Sequence, residues 1–182
     1  MKITDGSGSS LEARGNSKQQ LDVFAVVEPE DKLENRNGNS WTISASSTPV
    51  GANDYIFYFK NTSTVTYAIT DVRVTAAAAT KLSVDHVSGA PTFASGTDLT
   101  PVNKNIGKSN TVSATIKQDT NTTGLSDLGR LYPIQVEAAN KMAKLSMSAN
   151  IIIPPGQAIA MESSAATAVE SDWSLTVIED LV

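Results

Sequence analysis

The sequence predicts an all-β protein: an antiparallel β-sandwich of jelly-roll type, preceded by an extended N-terminal arm. Apolar and polar residues alternate with a period of two in many short runs, which is the pattern of strands with one buried face. Turn-forming residues separate these runs at irregular intervals. No repeat of fixed length indicates a propeller or a solenoid, so a sandwich is the expected architecture.

The chain is divided into an arm, residues 1–20, and a sandwich domain, residues 21–182. The arm is rich in Gly, Ser and Gln and has too few apolar side chains to build a core of its own. We expect it to be ordered only when it lies on a neighbouring subunit. Ile3 and Leu11 are its candidate partner-binding residues.

The domain begins with an alternating run at residues 21–27, which predicts the first strand. Pro29, the acidic residues after it and Gly38 predict a short helix with a solvated acidic face. The next alternation, at residues 41–46, predicts a second strand.

The run Tyr55–Phe59 is apolar on both sides, which is typical of a strand covered on both faces or facing another subunit. If its odd-numbered residues point into the core, Ile56 and Tyr58 are free to face a partner. These two residues complete the set of candidate partner-binding residues.

The middle of the chain is predicted from turns and changes of parity. Residues 61–64 are expected to form a hairpin connection. The apolar residues then move from odd-numbered positions, ending at Ile69, to even-numbered positions, starting at Val72. This change predicts a β-bulge near Thr70 and Asp71. Residues 88–108, rich in Gly, Pro, Thr and Asn, predict a long surface loop, and residues 119–124 are expected to end the strand before them.

The clearest pattern lies at the C-terminal end, in a stretch of three predicted strands. In residues 144–153, apolar residues at 145, 147, 149, 151 and 153 alternate with polar residues at 144, 146, 148 and 150. Pro154-Pro155-Gly156 ends that strand because proline lacks a backbone donor and glycine tolerates positive φ. Residues 158–161 form the second predicted strand. The third carries apolar side chains on one face: Trp173, Leu175 and Val177.

Composition excludes several function classes. The net charge of −5 and the absence of a cluster of basic residues argue against binding to nucleic acid phosphates. The chain contains no cysteine, so disulfides and thiolate metal sites are excluded. The first residues lack the apolar core of a signal peptide, and no apolar run is long enough to span a membrane.

No catalytic, cofactor-binding or metal-binding residues are predicted. His86 is the only histidine, and it shares parity with Leu82 and Val84, which favours a partly buried position at the end of a strand. No Gly-x-Ser-x-Gly stretch supplies a nucleophile elbow. We therefore expect a protein that is not an enzyme and that needs no cofactor.

Four segments, in this order, resemble auxiliary virion structural proteins of tailed bacteriophages: residues 3–8, residues 21–30, residues 55–61, and Ile153-Pro154-Pro155-Gly156. The resemblance implies a small β-sandwich subunit that is made in the host cytoplasm and built into the virion, typically as a decoration or cement protein on the head. It implies contacts with the major capsid protein or other virion proteins, and carries over no catalytic residue. The residues are also compatible with a homo-oligomer such as a trimer.

A carbohydrate-binding module or a fibre-type adhesion module is the alternative function. Two tryptophans and several tyrosines in the chain are candidates for a sugar-binding platform, although Trp173 shares the parity of core residues. This alternative predicts an exposed aromatic cluster or a calcium site. The sequence does not determine the oligomer number, the position on a particle, or whether a receptor is bound.

Overall fold

A computed structural model describes the backbone of residues 2–4, 10–15, 21–24, 30–164 and 170–180, and the side chains of residues 32–144, 150–164 and 170–179. The described strands all pair antiparallel and there is one short helix among them, which confirms the all-β class. Contacts divide the chain into two compact units, Met1–Leu33 and Glu34–Val182. The predicted boundary at residue 20 falls inside the first unit.

The first unit contains a three-stranded antiparallel sheet in the order β1-β2-β3. Its strands are β1 (Lys2–Thr4), β2 (Ser10–Gly15) and β3 (Leu21–Phe24). Ile3 lies opposite Leu11 in the register of β1 and β2. The side chains of both residues lie outside the described part of the chain, so their predicted contacts with a partner stay a prediction.

The predicted helix is confirmed as α1 (Glu30–Asn37). It ends in a Schellman motif: Gly38 has φ of 86° and its N–H donates to the Asn35 carbonyl, while the Asn39 N–H donates to the Glu34 carbonyl. The predicted solvated face is wrong at one position, because Glu34 has an exposed fraction of 0%.

The second unit contains two five-stranded sheets, here called sheet I and sheet II. Sheet I has the order β11-β6-β13-β4-β9. Its strands are β4 (Ser40–Ser47), β6 (Thr66–Ala76), β9 (Val102–Asn103), β11 (Met142–Ile153) and β13 (Ser171–Asp180). One edge of this sheet is therefore the two-residue β9, and the other is the twelve-residue β11.

Sheet II has the order β5-β12-β7-β10-β8. Its strands are β5 (Asp54–Asn61), β7 (Thr80–Phe93), β8 (Thr97–Asp98), β10 (Ala114–Val136) and β12 (Ala158–Ser163). The first part of β10 pairs with β5 and the rest pairs with β7. β5, β12, β7 and β10 are therefore joined in a hydrogen-bonded circuit, but in the described part of the chain residues 123–136 of β10 pair only with β7.

The bulge predicted in β6 is confirmed. Asp71 lies opposite Thr176 and Ile69 lies opposite Val177, so Thr70 is the extra residue. Because of this shift, Ile69 and Val72 both reach the core.

Three predictions about connections are wrong. The segment after Asn61 is not a hairpin, because β5 belongs to sheet II and β6 to sheet I. Residues 88–93 continue β7 instead of forming the start of a loop, and residues 119–124 lie within β10 instead of ending a strand. These two polar segments pair with each other, with Phe93 opposite Thr122.

Asn61 joins three segments where the chain passes from sheet II to sheet I. Its buried side-chain amide donates to the carbonyls of Val65 (2.8 Å) and Ile153 (2.9 Å), and its Oδ1 accepts the N–H of Ser63 (2.9 Å). Its backbone also bonds the turn Pro154-Pro155-Gly156: the Gly156 N–H donates to the Asn61 carbonyl at 2.9 Å. The predicted turn there is confirmed, with Gly156 at φ of 80°.

The main core is built from side chains of both sheets. Phe57 of sheet II lies 4.6 Å from Trp173 of sheet I, measured between ring centroids, and Phe59 lies 6.2 Å from Tyr67. A second, smaller cluster lies within sheet II and consists of Tyr58, Val87, Ala158 and Ala160.

Candidate functional site

The two candidate contact residues of β5 are buried by the chain itself. Ile56 has an exposed fraction of 0% and belongs to the main core, because β5 and β12 change register between Tyr55 and Phe57. Tyr58 is 2% exposed and lies edge-on against Phe93, at 5.9 Å between ring centroids. The prediction that these two side chains are free to face a partner is therefore wrong for the chain as described.

An apolar groove lies where strands of both sheets approach each other. Its volume is about 630 Å³, and it is lined by β10, β11, β12 and the turn between β11 and β12, together with His86. Leu131 of β10 and Ile152 of β11 line it and are 40% and 48% exposed. Large apolar side chains that stay accessible side by side are typical of a surface that another molecule covers. We call this feature the β11 groove.

The β11 groove lies beside a free strand edge. In the described part of the chain β11 pairs only with β6, so the backbone groups on its other edge have no strand partner. Such an edge can accept an extended segment of another chain as an additional strand. The groove and the edge together form a surface with both apolar and backbone hydrogen-bonding capacity.

His86 is placed at the rim of this groove. Its Nε2 lies 3.1 Å from Oε1 of Gln157, and its side chain is partly exposed. His86 is partly buried as predicted, but the predicted position at the end of a strand is wrong, because β7 continues to Phe93. Among the residues with described side chains, no group of three or more His, Asp or Glu is placed to hold a metal ion.

No family model, curated protein or solved structure matches this chain. The resemblance to auxiliary virion proteins therefore stays a prediction. No helix in the described residues is long and apolar enough to cross a membrane.

A cluster of charged groups lies on neighbouring strands of sheet II. Arg130 of β10 reaches two carboxylates: its Nε lies 3.4 Å from Oδ1 of Asp85 on β7, and its Nη2 lies 3.4 Å from Oε1 of Glu162 on β12. Asp85 is only 1% exposed and also accepts a hydrogen bond from the Ser83 hydroxyl at 3.0 Å. The sequence did not predict this cluster, because its members are far apart in the chain.

Burial dominates the electrostatics of this cluster. Loss of water raises the pKa of Asp85 and of Glu162, and the nearby carboxylate of Asp127 raises both further, whereas Arg130 opposes the rise. Burial, followed by the charges of Asp127, Asp85 and Glu162, raises the pKa of Tyr55 to about 12. The cluster therefore places three carboxylates near one guanidinium, and burial favours the neutral forms of Asp85 and Glu162.

A second buried carboxylate, Asp119 of β10, has a different environment. It accepts the backbone N–H groups of Ala94 (3.0 Å), Ser95 (2.8 Å) and Thr120 (2.8 Å) and the hydroxyl of Thr122 (3.0 Å). Burial alone would raise the pKa of Asp119, but these donors outweigh burial and lower it. Asp119 thus fixes the turn after β7 through these hydrogen bonds.

The candidate aromatic platform for sugars is not assembled on the described surface. Trp41 and Trp173 are 1% and 2% exposed, and Tyr58 and Tyr67 are 2% exposed. Trp41 donates its Nε1 hydrogen to the Asn110 carbonyl at 3.0 Å, as a core tryptophan does.

The sequence carries one signal of the β11 groove. In the run Ile151-Ile152-Ile153 the middle residue breaks the alternation of β11 by placing an apolar side chain at an outward position. An apolar residue on the outer face of a predicted edge strand indicates a contact surface.

Proposed function

We propose that this chain is a non-enzymatic structural subunit of a tailed-phage virion, of the decoration or cement type, that acts by binding other protein chains. The observation that carries the proposal is the β11 groove, which combines an exposed apolar lining with the free edge of β11. The resemblance of four sequence segments to auxiliary virion proteins supports the virion as the setting.

The chemistry of the groove fits a protein partner. Its lining is mainly aliphatic, and its polar groups, His86, Asn150 and Gln157, carry no carboxylate or basic cluster. A partner segment that adds to β11 would satisfy the edge by backbone hydrogen bonds and would place alternate side chains against Leu131 and Ile152. This arrangement stabilises an assembly without any bond being made or broken.

The proposal extends to the architecture and the assembly. The two sheets form a sandwich of jelly-roll type, and the subunit is a homo-oligomer such as a trimer that attaches to the major capsid protein of the head. Residues 1–20, with Ile3 and Leu11, reach a neighbouring chain. A stable joint of this kind covers about 800 Å² on each partner.

Binding to phage heads tests the proposal. Purified chain is mixed with heads assembled from the major capsid protein encoded in the same genome, and the bound fraction is measured after sedimentation. Ile152→Asp and Leu131→Asp place a charge in the groove and should weaken binding at least about tenfold. Val50→Asp and Val102→Asp are matched controls, because these side chains are 70% and 65% exposed and do not line the groove.

Circular dichroism of each variant checks that it is folded, which the partial exposure of all four side chains predicts. Saturable binding that only the groove variants lose supports the proposal. Failure of the native chain to bind any virion shell, or equal binding by the native chain and the groove variants, overturns it. Binding of a glycan on an array without binding to heads would favour the adhesion alternative.

A further inference from the structure

Arg130 lies in a part of β10 where regular pairing with β7 is interrupted twice. The register shifts between Asp127 and Gly129 and again between Arg130 and Tyr132. Gly129 has φ of 141°, and its N–H donates to Oδ1 of Asp127 at 2.8 Å. Residues 127–132, here called the Arg130 segment, therefore have fewer ladder hydrogen bonds to hold them than a regular strand.

The ion pairs of Arg130 compensate for this weak pairing. They join the Arg130 segment to β7 through Asp85 and to β12 through Glu162, both at 3.4 Å. Asp85 accepts a hydrogen bond from the Ser83 hydroxyl and is 1% exposed, so its carboxylate has little freedom to move. The Arg130 side chain is 56% exposed, so it can leave Asp85 and be solvated by water without leaving a cavity.

The same segment contributes to the lining of the β11 groove. Leu131 and Tyr132 directly follow Arg130 and line the groove together with Ile152. Tyr132 is also packed against the main core, so Leu131 is the part of this lining whose position depends on Arg130. We propose that Arg130 is a pH-sensitive latch: its pairs with Asp85 and Glu162 hold this part of the lining in place at neutral pH, and mild acid releases it and opens the groove.

The charges around the latch set the direction of this response. Arg130 and Asp127 of β10 act on both Asp85 and Glu162, and Asp85 also acts on Glu162. Tyr55 of β5 lies in the field of the same charged groups. Because burial raises the pKa of both Asp85 and Glu162, these two carboxylates become protonated at a higher pH than ordinary surface carboxylates do. Once they are neutral, Arg130 has lost the charges that held it, and its exposed side chain turns to water.

The consequence for partner binding rests on the proposed function, because it concerns the same groove. The latch itself is a property of the isolated chain, so it can be tested without a partner. Hydrogen exchange of the backbone amides of residues 127–132 reports how often the segment opens. Failure of this test would leave binding to heads unaffected, and failure to bind heads would leave the latch unaffected.

Exchange is measured on the full chain at neutral pH and at about pH 4.5, with correction for the intrinsic exchange rate. We expect protection of the Arg130 segment to fall at least about tenfold in acid, the size of one lost hydrogen bond between charged groups. Arg130→Gln should show the low protection already at neutral pH and should lose the pH dependence, and Arg130→Lys should lie between the two. Arg73→Gln, which breaks an exposed pair with Asp71 at 2.7 Å in sheet I, is the matched control and should behave as the native chain.

A second variant separates the latch from a general loss of structure. Asp85→Asn imitates the protonated carboxyl group without changing its shape, so it should lower protection of the Arg130 segment at neutral pH while protection of β13 stays unchanged. The chain has no cysteine, so a solvatochromic dye on Ile152→Cys reports the groove directly and should shift to a more polar environment in acid. Equal protection at both pH values, or a pH response that Arg130→Gln retains, would overturn the proposal.

Discussion

The ring centroids of Phe57 in β5 and Trp173 in β13 lie 4.6 Å apart, and the two ring planes are inclined at 56° to each other. This contact links sheet II to sheet I in the middle of the main core, where both side chains are at most 2% exposed. Aromatic pairs of this geometry add to the free energy gained by burying the rings. The stability of the second unit therefore depends on this pair.

We expect Phe57→Ala to lower the free energy of unfolding by about 3–5 kcal/mol, because it leaves a cavity between the sheets. Urea unfolding followed by tryptophan fluorescence measures the change. Leu128→Ala is the control, because Leu128 is 55% exposed, and it should change stability by less than about 0.5 kcal/mol. A loss below about 1 kcal/mol for Phe57→Ala would mean that the sheets do not share this core.

Gly124 allows β10 and β7 to approach closely. It has φ of 74°, and a Cβ atom there would lie 2.5 Å from the Ala90 carbonyl oxygen. Gly124→Ala should therefore destabilise the chain by about 2 kcal/mol or more, as measured by thermal or urea unfolding. Gly107→Ala is a matched control, because its nearest atom would be Oδ1 of Asn105 at 3.5 Å and its φ is not positive. Equal effects of the two variants would contradict the pairing of residues 88–93 with β10.

Asp119 should make the fold sensitive to strong acid. Because the pKa of Asp119 is lowered below its ordinary value of 3.8, its contribution to stability is present above that value and is lost as pH falls through the lower folded pKa. Asp119→Asn should remove this part of the pH dependence and should lower stability at neutral pH, since the amide accepts fewer of the surrounding donors. Unfolding free energies measured across the acid range test this. Parallel pH curves for the native chain and Asp119→Asn would show that Asp119 is not ionised in the fold.

Asp85 should have the opposite effect on the pH dependence of stability. Its pKa is raised above the ordinary value of 3.8, so its contribution to stability is fully present below that value and is lost as pH rises through the folded pKa. Asp85→Asn avoids the cost of burying the charge, so its stability relative to the native chain should increase between mild acid and neutral pH. The same unfolding measurements decide the sign, and a relative stability that decreases over this range would contradict it.

Sequence periodicity predicted the fold where one face of a strand is buried. It located β11, the turn Pro154-Pro155-Gly156, β12 and the buried face of β13, and it detected the bulge at Thr70 because the apolar parity changes there. It failed at Ile56 because every neighbour in Tyr55–Phe59 is apolar, so a change of register leaves no trace in the pattern.

Local sequence patterns could not predict the polar segments of strands or the contacts between residues far apart in the chain. Residues 88–93 of β7 pair with the middle of β10, and these two segments bury few side chains, so they show no period of two. The local sequence of a connection such as residues 61–64 does not show whether it joins two strands of one sheet or strands of two different sheets. The Arg130 cluster and the β11 groove bring together residues from several strands, which only the tertiary fold can show.

The central claim is that the chain works through protein contacts at the β11 groove. The most direct measurement is a density map of an assembled particle that contains this subunit, at a resolution that traces side chains. We expect a neighbouring chain to cover Leu131 and Ile152 and to add backbone hydrogen bonds along the free edge of β11. A map in which the groove and this edge face solvent in every copy of the subunit would contradict the claim.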